Sequence, residues 1–177
     1  PALDVLLKSL LGVLNERSFR LLFLASTVRV SERQFPLYYK QLREACEILD
    51  SPYMPEMFIA QNPIMNAGAF GVNKPFIVIN SSIIEDLTEE ESFAIIGHEL
   101  GHCLSGHALY HTLLNLLIYL SLVLLSVVNI PISNIVLQGI IIALKEWSRK
   151  SELSTDPAGL LVVQDPNVSY HVLMKLA

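Results

Sequence analysis

Residues 96–102 read Ile96-Gly97-His98-Glu99-Leu100-Gly101-His102, with two histidines four apart and a glutamate beside the first. On a helix, residues four apart lie on one face, one above the other. His98 and His102 can then offer two imidazole nitrogens to one metal ion. Glu99 sits one step round, where it can hold a metal-bound water and take its proton. The pattern therefore requires a helix here and a third ligand brought in by another element. Thr88 and Glu91 have capping-box spacing just ahead of the apolar run that opens at Phe93, which predicts where this helix begins. Two core histidines and a surface glutamate account poorly for the pattern, because the rest of the helix is mostly apolar.

Gly97 and Gly101 are also four apart, next to the histidine face. Each costs about 1 kcal/mol of helix propensity relative to alanine. A helix that accepts this twice needs close contact along that line. A strand or substrate backbone would explain the contact, and so would tight packing against another helix.

A zinc site needs a third protein ligand and an open position for water. The candidates are His107, His111, Cys103, Glu152, Asp156 and His171. Cys103 points about 100° away from its neighbour His102, at 100° per residue. His107 and His111 lie five and nine residues beyond His102 and drift off the ligand face. Glu152 and Asp156 are four apart on a later helix and can face the site together. One would bind the metal, and the other would accept a hydrogen bond from a ligand imidazole.

Around the motif the chain reads as mostly helical. Residues 2–26 suggest two helices or one broken helix, and residues 34–49 form a clearer amphipathic helix stopped by the prolines at 52 and 55. Segments 56–60, 66–72 and 76–80 read as short strands, the last rich in β-branched and aromatic residues. A small antiparallel sheet is expected from them, with Gly68 and Gly71 marking the middle segment as an edge or a close-approach site. Residues 109–128 carry no Asp, Glu, Lys or Arg, and Pro131 breaks the stretch. A second apolar helix is expected over 135–147 and a third over 148–163, after a bend. Pro157 falls in the first turn of that last helix or kinks it. The result is one domain over 1–177 with a hydrophobic helical hairpin over 109–144. Residues 172–177 still read as helix, so the chain is expected to continue past them.

Composition narrows the function. Apolar residues make up 52% of the chain and charged residues 16%, and the net charge is -5. That balance argues against nucleic acid as a partner, since phosphate backbones select basic surfaces. Cys46 and Cys103 do not make a disulfide framework; reduced thiols and a cytosol-facing location fit them. No basic leader with a cleavage site opens the chain.

At these residues the chain resembles the HtpX and CAAX-prenyl-endopeptidase family of gluzincin metallopeptidases, in particular its smaller relatives. The matching pieces are Asn66-Ala67, the run from Ile96 to His102, and Arg149-Lys150-Ser151-Glu152-Leu153-Ser154-Thr155-Asp156. With the helices between, they cover roughly residues 40–165. The family pattern in the last piece has alanine where this chain has Thr155, a change expected to touch no ligand. The resemblance implies an α+β, mostly α, zincin-like fold: a small antiparallel sheet over the active-site helix, with a helical hairpin between the two zinc motifs.

It implies one Zn2+ per chain, held by His98, His102 and Glu152. Asp156 would orient His98, and Arg149 would pair with Asp156 or Glu152. Glu99 would serve as the general base of an endopeptidase acting on extended or unfolded polypeptides. The segment at Asn66 and Ala67 would line the cleft, where a peptide adds to the sheet edge through backbone hydrogen bonds. An oxyanion stabiliser is also expected; Tyr170 and His171 qualify by position, and so does a group past the last residue.

Two further readings belong beside this one. A non-catalytic zinc-binding scaffold or membrane adaptor would use the same ligands without turnover. A peptide deformylase would take its third ligand from an upstream cysteine, but Cys46 lies on an amphipathic helix in the wrong surroundings. Membrane association is open in the same way. Residues 109–128 are long enough to span a bilayer. Yet His111, Thr112, Asn115, Tyr119, Ser126 and Asn129 form a polar stripe along the helix, and Asn134, Gln138, Lys145 and Arg149 form a narrower one on the next. Stripes of this kind suit a soluble or peripheral hairpin with one protein-facing side, and they also suit an integral bundle with its active site facing the cytosol.

Overall fold

The structure is a computed structural model that describes residues 20–21, 25–127 and 131–176; side chains at 119–127, 131–137 and 140 are outside that description. Most of the expected helical region at 2–26, and Asn129, lie outside the described residues, as do the side chains of the polar-stripe residues Tyr119, Ser126 and Asn134.

The elements follow one another as β1 (Thr27–Arg29), α1 (Pro36–Ile48), β2 (Glu56–Ala60), β3 (Ala67–Phe70), β4 (Phe76–Asn80), α2 (Ser81–Asp86), α3 (Glu89–Leu104), α4 (His107–Val127), α5 (Pro131–Val163) and α6 (Pro166–Leu176). The four strands run in the order β1-β2-β4-β3. β1 pairs antiparallel with β2, and β3 antiparallel with β4. β2 and β4 run parallel, with Glu56 opposite Phe76 and Ala60 opposite Asn80. The sheet is therefore mixed, not antiparallel. The chain leaves β2, passes over to form β3 on the far edge, and turns back into β4, which slots between them. β2 and β4 are both buried apolar runs, as strands flanked on two sides tend to be.

Strand alternation divides the apolar residues between two faces. Phe58, Phe76 and Val78 pack on one face, with Phe58 and Phe76 edge-to-face at 5.7 Å between ring centres. Met57, Ile59, Ala69, Ile77 and Ile79 join Ile96 and Leu100 of α3 in the main core. The capping box at the head of α3 is formed: Glu91 N–H donates to Thr88 Oγ1 at 3.2 Å, and Thr88 N–H to Glu91 Oε2 at 2.8 Å. α1 lies across α3, where the buried Gln41 amide donates to Glu89 O at 2.7 Å.

The contact that sets the site is the one between α3 and α5. A Cβ added to Gly97 would lie 2.7 Å from Val162 Cγ2, and one on Gly101 would lie 2.9 Å from Ala158 Cβ. From the other side, a Cβ on Gly159 would lie 2.8 Å from the Ala94 carbonyl oxygen. The glycines thus serve helix packing, the second of the two readings from sequence. They let α5 approach close enough for side chains on it to reach the histidine face.

The expected division into two helices at 147–148 is not found: α5 is a single helix of 33 residues with Pro157 inside it. Within its serine-rich stretch, Ser151 and Ser154 satisfy their hydroxyls by donating to the Ser148 and Ser151 carbonyls, each at 2.7 Å. On α4 part of the polar side turns inward: buried Thr112 Oγ1 accepts from Gly71 N–H at 2.9 Å, and His111 Nε2 lies 3.3 Å from Ser151 Oγ, whereas Asn115 is exposed. Among the described residues, no helix is long and apolar enough to cross a membrane.

Candidate metal centre

α3 carries His98 and His102 on one face, and α5 brings Glu152 to meet them. Nε2 of His98 lies 3.1 Å from Nε2 of His102. Oε2 of Glu152 lies 3.0 Å from the first and 3.4 Å from the second. Ligands about 2.0–2.1 Å from a tetrahedral zinc stand about 3.3 Å from one another. The three atoms therefore have the spacing of three corners of a zinc tetrahedron, from two nitrogens and one carboxylate oxygen.

The surroundings are electrostatically lopsided. Burial works against the charge on Glu152, but hydrogen bonds and charge from His102 and His98 hold its carboxyl far below the ordinary range. Burial also pulls His98 down. Its bond to Glu152 and the charges of Glu99, Glu152 and Asp156 outweigh that, so its pKa is raised. Asp156 Oδ1 lies 3.3 Å from His98 Nδ1, the nitrogen turned away from the three-atom cluster. Burial, with the neighbouring histidines, pushes His111 down to about 4.

Glu99 is buried, and burial raises its pKa against the pull of His98 and His102. The Ala69 backbone of β3 hydrogen-bonds to its carboxylate. Its Oε2 has no hydrogen-bond partner among the described residues. A buried carboxylate oxygen left in this state beside a metal-ligand cluster suits a partner that is neither backbone nor side chain, such as a water or a substrate group.

The cluster opens into a cleft of about 850 Å3. Its lining includes Asn66 and Ala67, where the edge strand β3 begins, and Leu153, Leu160 and Tyr170. His171 follows Tyr170 on α6 but is exposed and is not among the lining residues.

Two expectations need correction. Arg149 pairs with Glu146 at 2.8 Å, not with Glu152 or Asp156. Glu152 is drawn inward to the histidines, while the Arg149 side chain is exposed and meets Glu146 one turn back on the helix. The Thr155 change does touch the cluster: its wholly buried hydroxyl lies 3.2 Å from His102 Nε2 and 3.4 Å from His98 Nε2. Helical spacing from Glu152 could not signal this, because it depends on how closely α5 seats against α3. His107 was set aside as a ligand, yet its Nδ1 lies 3.2 Å from His102 Nδ1. The αL turn at Gly106, with φ of 74°, brings it there and breaks the angular count along the helix.

Residues 33–177 match the sequence model of Peptidase family M48. A plastoglobule-localized metallopeptidase 48, chloroplastic, from Arabidopsis thaliana is 37% identical over 180 residues, taking in all of this chain and 50% of that protein. A protease HtpX from Tolumonas auensis is 32% identical over 83 residues, 43% of this chain and 28% of its own length. A protease HtpX homolog 2 from Methanosarcina acetivorans is 35% identical over 75 residues, 41% of this chain and 25% of its own. The chain thus spans half the length of the plant relative, and its matches cover about a quarter of the other two. No solved structure matches it significantly.

Proposed function

The chain belongs to Peptidase family M48, and we propose that it is a zinc endopeptidase acting on extended or unfolded polypeptide segments. The observation that carries this reading is the convergence of His98, His102 and Glu152 beside a buried Glu99 carboxylate with one oxygen unpartnered among the described residues. The three ligands would hold Zn2+, and Asp156 would orient His98 through its Nδ1–H. When bound, zinc supplies a Lewis acid that polarises the scissile carbonyl and lowers the pKa of water.

The protein's own groups do the rest. Glu99 takes a proton from the attacking water and passes it to the leaving amine. In the metal-free chain burial raises its pKa, outweighing the pull of His98 and His102. An extended substrate adds to the sheet at β3, with Asn66 and Ala67 along its path. Tyr170, on the cleft wall, is the candidate for the developing oxyanion. The name of the plant relative, plastoglobule-localized, supports a soluble or peripheral setting over an integral one.

The test is cleavage of casein by the zinc-loaded chain and by Glu99→Gln, with bound zinc counted by atomic emission. Cleavage that disappears in the variant while one zinc remains supports the reading. If neither protein cleaves while both hold zinc, the endopeptidase reading of this chain fails, and a zinc-binding scaffold takes its place.

A further inference from the structure

We propose that His107 is the positioning residue of His102, fixing the tautomer and ring plane in which that side chain meets a metal. The inference rests on the reading of His98, His102 and Glu152 as a metal site. Nε2 of His102 faces the other two candidate ligands. An imidazole that gives Nε2 to a metal carries its remaining proton on Nδ1, and that N–H needs an acceptor. The nearest partner is Nδ1 of His107 at 3.2 Å. His107 must then be neutral, with its own proton on Nε2.

The surroundings make His107 a fixed acceptor and not a passing contact. Gly106, at φ of 74°, turns the chain back so that the first residue of α4 reaches the last turn of α3. Its ring meets Trp147 of α5 edge-on at 5.3 Å and 84°. Trp147 is held in turn by Tyr110, at 4.5 Å and 35°. His111 closes another side of the His102 ring at 4.8 Å. The two ligand imidazoles are therefore oriented by different chemistry. His98 has a carboxylate behind it, and His102 has a neutral ring. A neutral acceptor aligns the ligand without adding charge to a centre that already holds Glu99, Glu152 and Asp156.

The experiment measures zinc affinity by competition with a chromophoric chelator in the whole chain, in His107→Phe and in His107→Gln. Thermal melts of the metal-free proteins report on folding. The phenylalanine keeps a ring against Trp147 but accepts no hydrogen bond; the glutamine amide oxygen can accept one. The expected result is a 10–100-fold loss in His107→Phe, and recovery of most of that loss in His107→Gln. In the zinc-loaded protein, 15N NMR should show His102 protonated at Nδ1 in the wild type and in the glutamine variant. Affinities alike in all three overturn the proposal, and so does a glutamine variant as weak as the phenylalanine one, which would mark His107 as packing only. A wild-type chain that binds no zinc overturns the metal-site reading itself, a result distinct from either.

Discussion

The hydroxyl oxygen of Thr155 lies 3.2 Å from Nε2 of His102, beneath the atoms that converge on the candidate metal position. Its proton can go to the Ser151 or Glu152 carbonyl, at 3.2 and 3.1 Å, and with a metal on the imidazole nitrogens it would do so, leaving its lone pairs toward the rings. Valine has the same shape but would set a methyl group against both ring nitrogens. Thr155→Val is expected to weaken zinc binding by about tenfold, roughly 1.4 kcal/mol. Thr155→Ala removes the group without crowding the nitrogens and should stay within about threefold of wild type. Chelator competition on the two variants, side by side, checks both.

The seam between α3 and α5 gives a second prediction. The Cβ in Gly97→Ala would collide with Val162, whose Cγ2 would be 2.7 Å away, and the helices would have to part. Overpacking of this kind costs about 1–3 kcal/mol. Val162→Ala leaves a hole in the same place and carries its own cost. The double variant should lose clearly less than the two single losses added together, because each change relieves the other. Additive losses in urea unfolding would show that the two residues do not meet.

What could be read from the chain and what could not divides along the range of the signal. The candidate ligand positions were legible because helical spacing is local: four residues separate His98 from His102, and four separate Glu152 from Asp156. The capping box at Thr88 was legible for the same reason. The parallel pairing of β2 with β4 was not, since both are apolar runs and nothing local says which strand lies between which. Thr155 and His107 were missed because each reaches His102 through packing. One depends on glycines that let α5 close in, and the other on a left-handed turn at Gly106. Ala69 was invisible in principle, because it acts through its backbone.

Glu91 supplies a pH-dependent contribution with a definite sign. Burial tends to raise its pKa, but the Lys175 ammonium at 2.7 Å and the Thr88 N–H outweigh that, and the net shift is downward. A depressed carboxylate gives stability that is present above the unfolded value of about 4.5 and is lost as pH falls through the lower folded value. Glu91→Gln keeps the cap geometry but titrates nothing. Above pH 5 the wild type should stand about 1 kcal/mol higher, and the gap should close as pH falls below 4.5 through the lowered folded value. Denaturant midpoints across that range decide it; a constant difference at every pH would remove the ionised Glu91–Lys175 pair as the cause.

Glu99 should act in the opposite sense. Its pKa is raised, with burial the leading cause, so the folded metal-free chain holds a proton that the unfolded chain has already released. Stability is then lost as pH rises from the ordinary carboxylate range through the raised folded value. At neutral pH the ionised form carries a buried oxygen with no partner among the described residues, a state that costs about 1–3 kcal/mol. Glu99→Gln removes the charge while keeping the shape. The metal-free variant should therefore melt a few degrees above the metal-free wild type at pH 8, and the gap should narrow toward pH 5. The same change is expected to abolish peptide cleavage. A proton acceptor that works in a desolvated site must be held there at the expense of the fold. If Glu99→Gln melts below the wild type at pH 8, the carboxylate is better satisfied than its surroundings indicate, and its role as a buried, under-satisfied base loses its physical ground.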